Sequence, residues 1–198
     1  MNRITRTDGG AFTRRGDAWS EITELTPCAF RVRLGGAFRG AWLASLSRHL
    51  AARHLSIDHI HARRTGDERW IAELHLLAFP QAEDPLGVDY SALAEDAEVN
   101  AASSVFELES YRLIESRAYG GSLMLTLEAP DSLGLLGSLL TGLARLDLFP
   151  VELHIETRAG RAYDSLWLAD AGGTPPTGEA RNAATQLLER ACKSASSE

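Results

Sequence analysis

Apolar positions along this chain follow two rhythms, and the same order of rhythms occurs twice. Ala29 to Leu34 alternates, with Phe30, Val32 and Leu34 on one side, the period of a half-buried strand. From about Arg39 to His54 the spacing lengthens to Leu43, Leu46 and Leu50, one stripe of a helix. Gly35-Gly36 stands between them as a break. Strand-like runs follow at Ser56 to Arg64 and Arg69 to Phe79, around a turn at Gly66-Asp67. A loop from Pro80 to Gly87 then leads to a short helix, capped by Asp89 and reaching about Val99.

The second set repeats the first. A strand at Ser122 to Glu128 precedes the turn Pro130-Asp131-Ser132 and a leucine-rich helix from Leu133 to about Leu146. Pro150 is expected to stop the helical region. Strands at Val151 to Arg158 and Ala162 to Ala169 flank Gly160, and a last helix covers about Glu179 to Lys193. Gly40 and Gly134 mark corresponding strand-to-helix junctions, 94 positions apart (134 − 40), and the offset runs without a gap to Ile57 and Val151. Solenoid units repeat every ~20–50 residues, so this period is that of a duplicated small domain.

Each half reads strand, helix, strand, strand, helix, and such a sheet wants a fourth strand. Each has a candidate in front, Trp19 to Leu25 and Tyr111 to Arg117. The expected fold is therefore α+β: two ferredoxin-like modules, each an antiparallel four-stranded sheet with two helices on one face, permuted to ββαββα. They span residues 18–105 and 106–194, after a disordered head at 1–17 and before a frayed tail at 195–198. Connectivity alone leaves open whether the strand at Tyr111 closes the first sheet or the second.

Composition narrows the classes. The hydrophobic share of 44% and charged share of 24% are ordinary globular values. A net charge of −7 argues against a nucleic-acid footprint, which needs a basic face. Two cysteines, Cys28 and Cys192, make no disulfide framework and suit a reduced, cytoplasmic protein. No run approaches the ~18 apolar residues of a membrane span. A nucleophile elbow, phosphate loop, dinucleotide fingerprint or Cys-x-x-Cys pair is absent from the sequence, so nothing in it points to an enzyme or a cofactor. Asp164 falls opposite Ile155 in the second hairpin, as a partly buried carboxylate.

The run Leu127-Glu128-Ala129-Pro130-Asp131-Ser132-Leu133-Gly134-Leu135-Leu136 resembles an ACT domain, whose first strand is followed by Asp-x-x-Gly-Leu-Leu and a helix. Val151 to Asp164 is similar to that family's second and third strands. The likeness covers Ser122 to Ala169 and, more loosely, Ala29 to Phe79. In organisation the chain looks like small tandem-ACT regulators of the glycine cleavage transcriptional repressor type. The resemblance implies a regulatory module that binds an amino acid between ACT units, forms a homodimer and acts on a protein partner. The alternative is a ligand-free assembly module, and an enzyme on the same scaffold stands third. Asp131, with backbone groups of Ser132, Leu133, Gly134 and Leu135, is the site implied in the second half. Asp131 and Ser132 suit helix capping, and the helix N-terminus suits a ligand carboxylate. The first half departs from the motif: Ala37 stands in place of Asp131, and Arg39 precedes Gly40, so Arg39 and Gly40 are its candidates.

Five of the six histidines lie in the first half. Strand alternation puts His59 and His61 on one side, and a hairpin centred on Asp67 sets His59 opposite His75 and His61 opposite Glu73. These four form an acceptable zinc or nickel ligand set, and also an ordinary polar sheet face.

Overall fold

A computed structural model describes residues 3–7, 9–65, 68–95 and 106–195, with side chains for 9–65, 68–95 and 106–192. The strands are β1 (Arg3–Thr7), β2 (Gly10–Arg15), β3 (Ala18–Thr26), β4 (Ala29–Ala37), β5 (Leu55–Thr65), β6 (Arg69–Ala78), β7 (Ser110–Glu115), β8 (Leu123–Pro130), β9 (Phe149–Arg158) and β10 (Arg161–Ala169). The helices are α1 (Trp42–Ala52), α2 (Tyr90–Glu95), α3 (Leu135–Ala144) and α4 (Gly178–Ala195). The expected turn at 66–67 and the end of the helix beyond residue 95 lie outside the described residues, as do 196–198 of the tail.

All ten strands form one antiparallel sheet, in the order β1-β2-β3-β4-β6-β5-β9-β10-β8-β7. The strand at Tyr111 pairs with β8, so it closes the second module, as β3 closes the first by pairing with β4. The residues expected as a disordered head instead supply β1 and β2, and β2 extends the sheet from β3. β5 and β9 join the modules through pairs from His59↔Glu156 to Arg63↔Glu152. Reading outward from that seam, the first four strands come in the same order on both sides, and β2 and β1 extend one side. The chain therefore carries an internal two-fold relation.

The seam also sets the true offset of the repeat. His61 pairs with His154 at the centre of the seam, and the two are 93 apart (154 − 61). The fully buried helix leucines agree, Leu46 with Leu139 and Leu50 with Leu143. In the sheet, Ile60 matches Leu153 at the same offset, while beyond the hairpin Leu74 matches Leu166 at 92, because Thr65↔Arg69 spans one residue more than Arg158↔Arg161. The offset of 94 expected from the two glycines is thus one too many. Gly134 matches Ala41, and Gly40 matches Leu133.

Alternate residues of the strands point to one face, where α1 and α3 lie side by side over a single continuous core. Gly137 permits that closeness, since a Cβ there would stand 3.2 Å from the Arg48 amide nitrogen. Gly35-Gly36 does not break β4, which runs on to Ala37. A Cβ on Gly35 would lie 2.9 Å from the Trp70 carbonyl oxygen and 3.0 Å from Trp19 Nε1. The glycines therefore make room for indoles. Trp42 stacks on Trp70 with ring centroids 3.5 Å apart, and Trp70 Nε1 donates to the Ala37 carbonyl at 3.0 Å. Pro150 also differs from expectation. It lies inside β9, at the irregularity where Glu152 and Pro150 face successive residues of β10. A missing N–H costs nothing where the ladder is already interrupted.

Candidate functional site

α3 begins with a glycine because the backbone there is left-handed. Gly134 is the N-cap at φ 93°. The expected capping by Asp131 and Ser132 does not occur, and no side chain caps this helix. Asp131 is held elsewhere, its N–H bonded to the Gly160 carbonyl at 2.9 Å and its carboxylate to the Thr157 side chain. Ser132 contributes its carbonyl, which accepts from the Leu135 N–H at 3.0 Å. The loop before α3 is thereby tied to β9 and to the turn at Ala159-Gly160, leaving the positive end of the helix uncovered by side chains.

A small pocket of about 40 Å³ opens at this point, between the two modules. The first module supplies Ser47 and Ala51 of α1 and Leu55 to Ile57 of β5. The second supplies residues 131–137 together with Ile155, Thr157, Ala162 and Asp164. Asp131, Ser132, Leu133, Gly134 and Leu135, the residues implied by resemblance, thus all line one cavity.

Two side chains that the motif does not contain complete it. Among the described residues, the buried side-chain atoms without a hydrogen-bond partner are Ser47 Oγ and Asp164 Oδ1, and both residues line this pocket. An unpaired buried polar group costs ~1–3 kcal/mol, and two such groups belong to residues that line this one cavity. Asp164 is 2% exposed and pairs with Ile155 in the ladder, as its sequence position suggests. Burial, with Asp131 adding repulsion, pushes its carboxyl up to about 7. Asp131 is raised too, by partial desolvation first and then by Asp58, while its bond to Thr157 lowers it. Ser47 carries no signal in the sequence because its role depends on α1 lying against α3, a contact between helices far apart in the chain.

Among the described residues, the first half holds no equivalent. Phe38 stands where Asp131 stands in the second module, and Arg64 where Thr157 stands. The Arg64 guanidinium covers the Phe38 ring at 4.2 Å. Leu140 and Ala72 replace Ser47 and Asp164, so the polar groups are gone. Phe149 occupies the remaining space, its ring 2.5–2.7 Å from where a Cβ on Gly40 would be. Arg39 and Gly40, the candidates there, do not line the pocket, and Arg39 is exposed.

The expected histidine quartet has the predicted register but divides in two. His59 faces His75 with centroids 5.7 Å apart, and His61 faces Glu73 in the ladder. Glu73 instead meets Arg33 at 3.5 Å, and His61 turns across the seam to β9.

No helix among the described residues is long and apolar enough to cross a membrane. No family model and no curated protein matches the chain. Among solved structures, aspartate kinase from Synechocystis is similar at TM-score 0.46 and 13% identity, over 83% of this chain and 27% of that one. The chain thus spans about a quarter of that enzyme's length, and at this similarity the likeness assigns neither a family nor an activity.

Proposed function

We propose that the chain is a small tandem regulatory module of ACT type that binds one small amino acid between its two halves. The observation carrying this reading is the pocket at the α3 N-terminus, where Ser47 Oγ and Asp164 Oδ1 are buried without partners. A zwitterion matches such a lining. Its carboxylate suits the uncapped helix end, and its ammonium suits Asp131 and Asp164. Size favours a short side chain. One water needs roughly 10–15 Å³ of such space, so a pocket of about 40 Å³ admits a few heavy atoms and no aromatic ring.

Regulation follows from the position. The ligand would touch α1 and β5 of one module and the α3 loop of the other, so its binding favours one packing across the seam. A protein partner, or a second copy of the chain in a homodimer, would read that packing as a population shift. The cytoplasm, with its free amino acids, is the compartment this role requires.

A thermal-shift screen against the twenty amino acids tests the proposal. Glycine, alanine or serine should raise the melting temperature, because a ligand of the native state stabilises by mass action. Asp131→Ala should abolish the shift while leaving the unliganded transition in place. A flat screen sinks the reading and leaves assembly as the role. That alternative draws on Phe12, Ile71 and Leu77, apolar and exposed on the sheet face opposite the helices. Light scattering would then show a stable dimer.

A further inference from the structure

The sheet face opposite the helices carries a second cluster, at the two-fold seam itself. Glu152 Oε1 lies 2.8 Å from His61 Nε2 and 3.2 Å from His154 Nε2. The two imidazoles stack, with centroids 4.5 Å apart and planes 14° from parallel. One ligand atom from each of the three residues lies within 4.8 Å of the others.

From this geometry we infer that His61, Glu152 and His154 form a divalent transition-metal site, of the kind that takes Zn(II). Three features carry it. The set is two imidazole nitrogens and one carboxylate oxygen, which zinc accepts with a solvent molecule as fourth ligand. The atoms already converge: zinc bonds of ~2.0–2.1 Å place tetrahedral ligands roughly 3.3 Å apart, close to the separations from Glu152. The third feature is support around the carboxylate. Glu152 is 8% exposed although it sits on the open face. Tyr119 donates a hydrogen bond to it. Trp167 meets His154 edge-on at 5.8 Å, and Tyr119 in turn meets Trp167 at 5.8 Å. A buried carboxylate held by an outer hydrogen bond, between imidazoles held by stacking, is a preorganised ligand set.

Both histidines remain about half exposed, so an ion has an entry path and an open coordination position. The two-fold relation explains the lopsided set. His61 and His154 are equivalents, but the counterpart of Glu152 is His59, so the ion belongs to the β9 side of the axis. The site takes one ligand from the first module and two from the second. An ion there would clasp the seam on the face opposite the amino-acid pocket, and the two sites stand or fall separately.

Titration calorimetry of the untagged protein with Zn(II), in a non-chelating buffer, tests this. One ion per chain is expected. His154→Gln and Glu152→Gln should each weaken binding by at least roughly tenfold. His59→Gln/His75→Gln should bind as the wild type does, and circular dichroism would check that each variant folds. X-ray absorption at the zinc edge of the wild type should show two imidazoles and oxygen ligands, a result that depends on no variant. The inference is overturned if the wild type fails to bind, if the edge spectrum lacks two imidazoles, or if only the His59/His75 variant loses the ion.

Discussion

Phe149 stands against Gly40 so closely that any side chain at position 40 would meet its ring, at 2.5 Å from a Cβ. This contact closes, in the first half of the repeat, the space that stays open in the second. It also predicts coupled substitutions. Gly40→Ala should destabilise the fold by about 1–3 kcal/mol, the usual range for an overpacked site. Trimming the ring with Phe149→Leu should remove much of that cost in the double variant. Urea unfolding of the four proteins in this cycle measures the coupling, and strictly additive effects would sink the contact.

Gly134 is constrained for a different reason. Nothing crowds it, since a Cβ added there would have Ala51 Cβ as its nearest neighbour at 3.8 Å, but its φ is 93°. Gly134→Ala should therefore cost about 1–2 kcal/mol of conformational strain, without any steric clash. The same variant moves the loop before α3, so an amino-acid-induced thermal shift should shrink with it. Calorimetric unfolding with and without ligand separates the two effects.

Asp164 makes stability depend on pH. Its folded carboxyl is pushed up to about 7, whereas an unfolded aspartate titrates near ~3.9. Between these values the unfolded chain loses its proton and the native chain keeps it. The native state then binds more protons, so stability falls as pH rises through this window. Below pH ~4 the group makes no difference, and above ~7 its full cost is present, on the order of 4 kcal/mol. Asp164→Asn cannot ionise and should flatten this part of the profile. It should resemble the wild type near pH 4 and be the more stable protein at pH 8. Parallel profiles in urea melts at the two pH values would refute the assignment.

The Trp42–Trp70 stack bridges α1 and β6 inside the first module. Trp70→Ala should destabilise by ~3–5 kcal/mol, as for other large aromatic deletions in a core. Two indoles 3.5 Å apart also couple excitonically, so Trp42→Phe should remove a paired band from the far-ultraviolet dichroism. A spectrum unchanged by that substitution would mean the rings do not stack.

Much of the architecture was legible in the chain itself. Alternation along Phe30, Val32 and Leu34, and the stripe Leu43, Leu46 and Leu50, are local signals of strand and helix. Their recurrence is matched by the four strands that follow in the same order on each side of the β5–β9 seam. The resemblance around Asp131 and Gly134 pointed to the loop that lines the pocket, and Gly134 fits there because a left-handed turn before a helix favours glycine. The hairpin register that sets His59 against His75 was equally local, since it follows from which residues face the core.

What only tertiary structure decided depends on contacts across the seam. Pairing of β5 with β9 corrected the repeat from 94 to 93, since it sets His61 against His154. It also drew His61 away from Glu73 toward Glu152, a partner 91 positions distant. Ser47 became part of the pocket only when α1 lay against α3. Local periodicity tells which face of an element is apolar, but not which element will cover it. That choice is made by packing between segments that share no sequence neighbourhood, and in this protein both the pocket and the histidine cluster lie where the two halves meet.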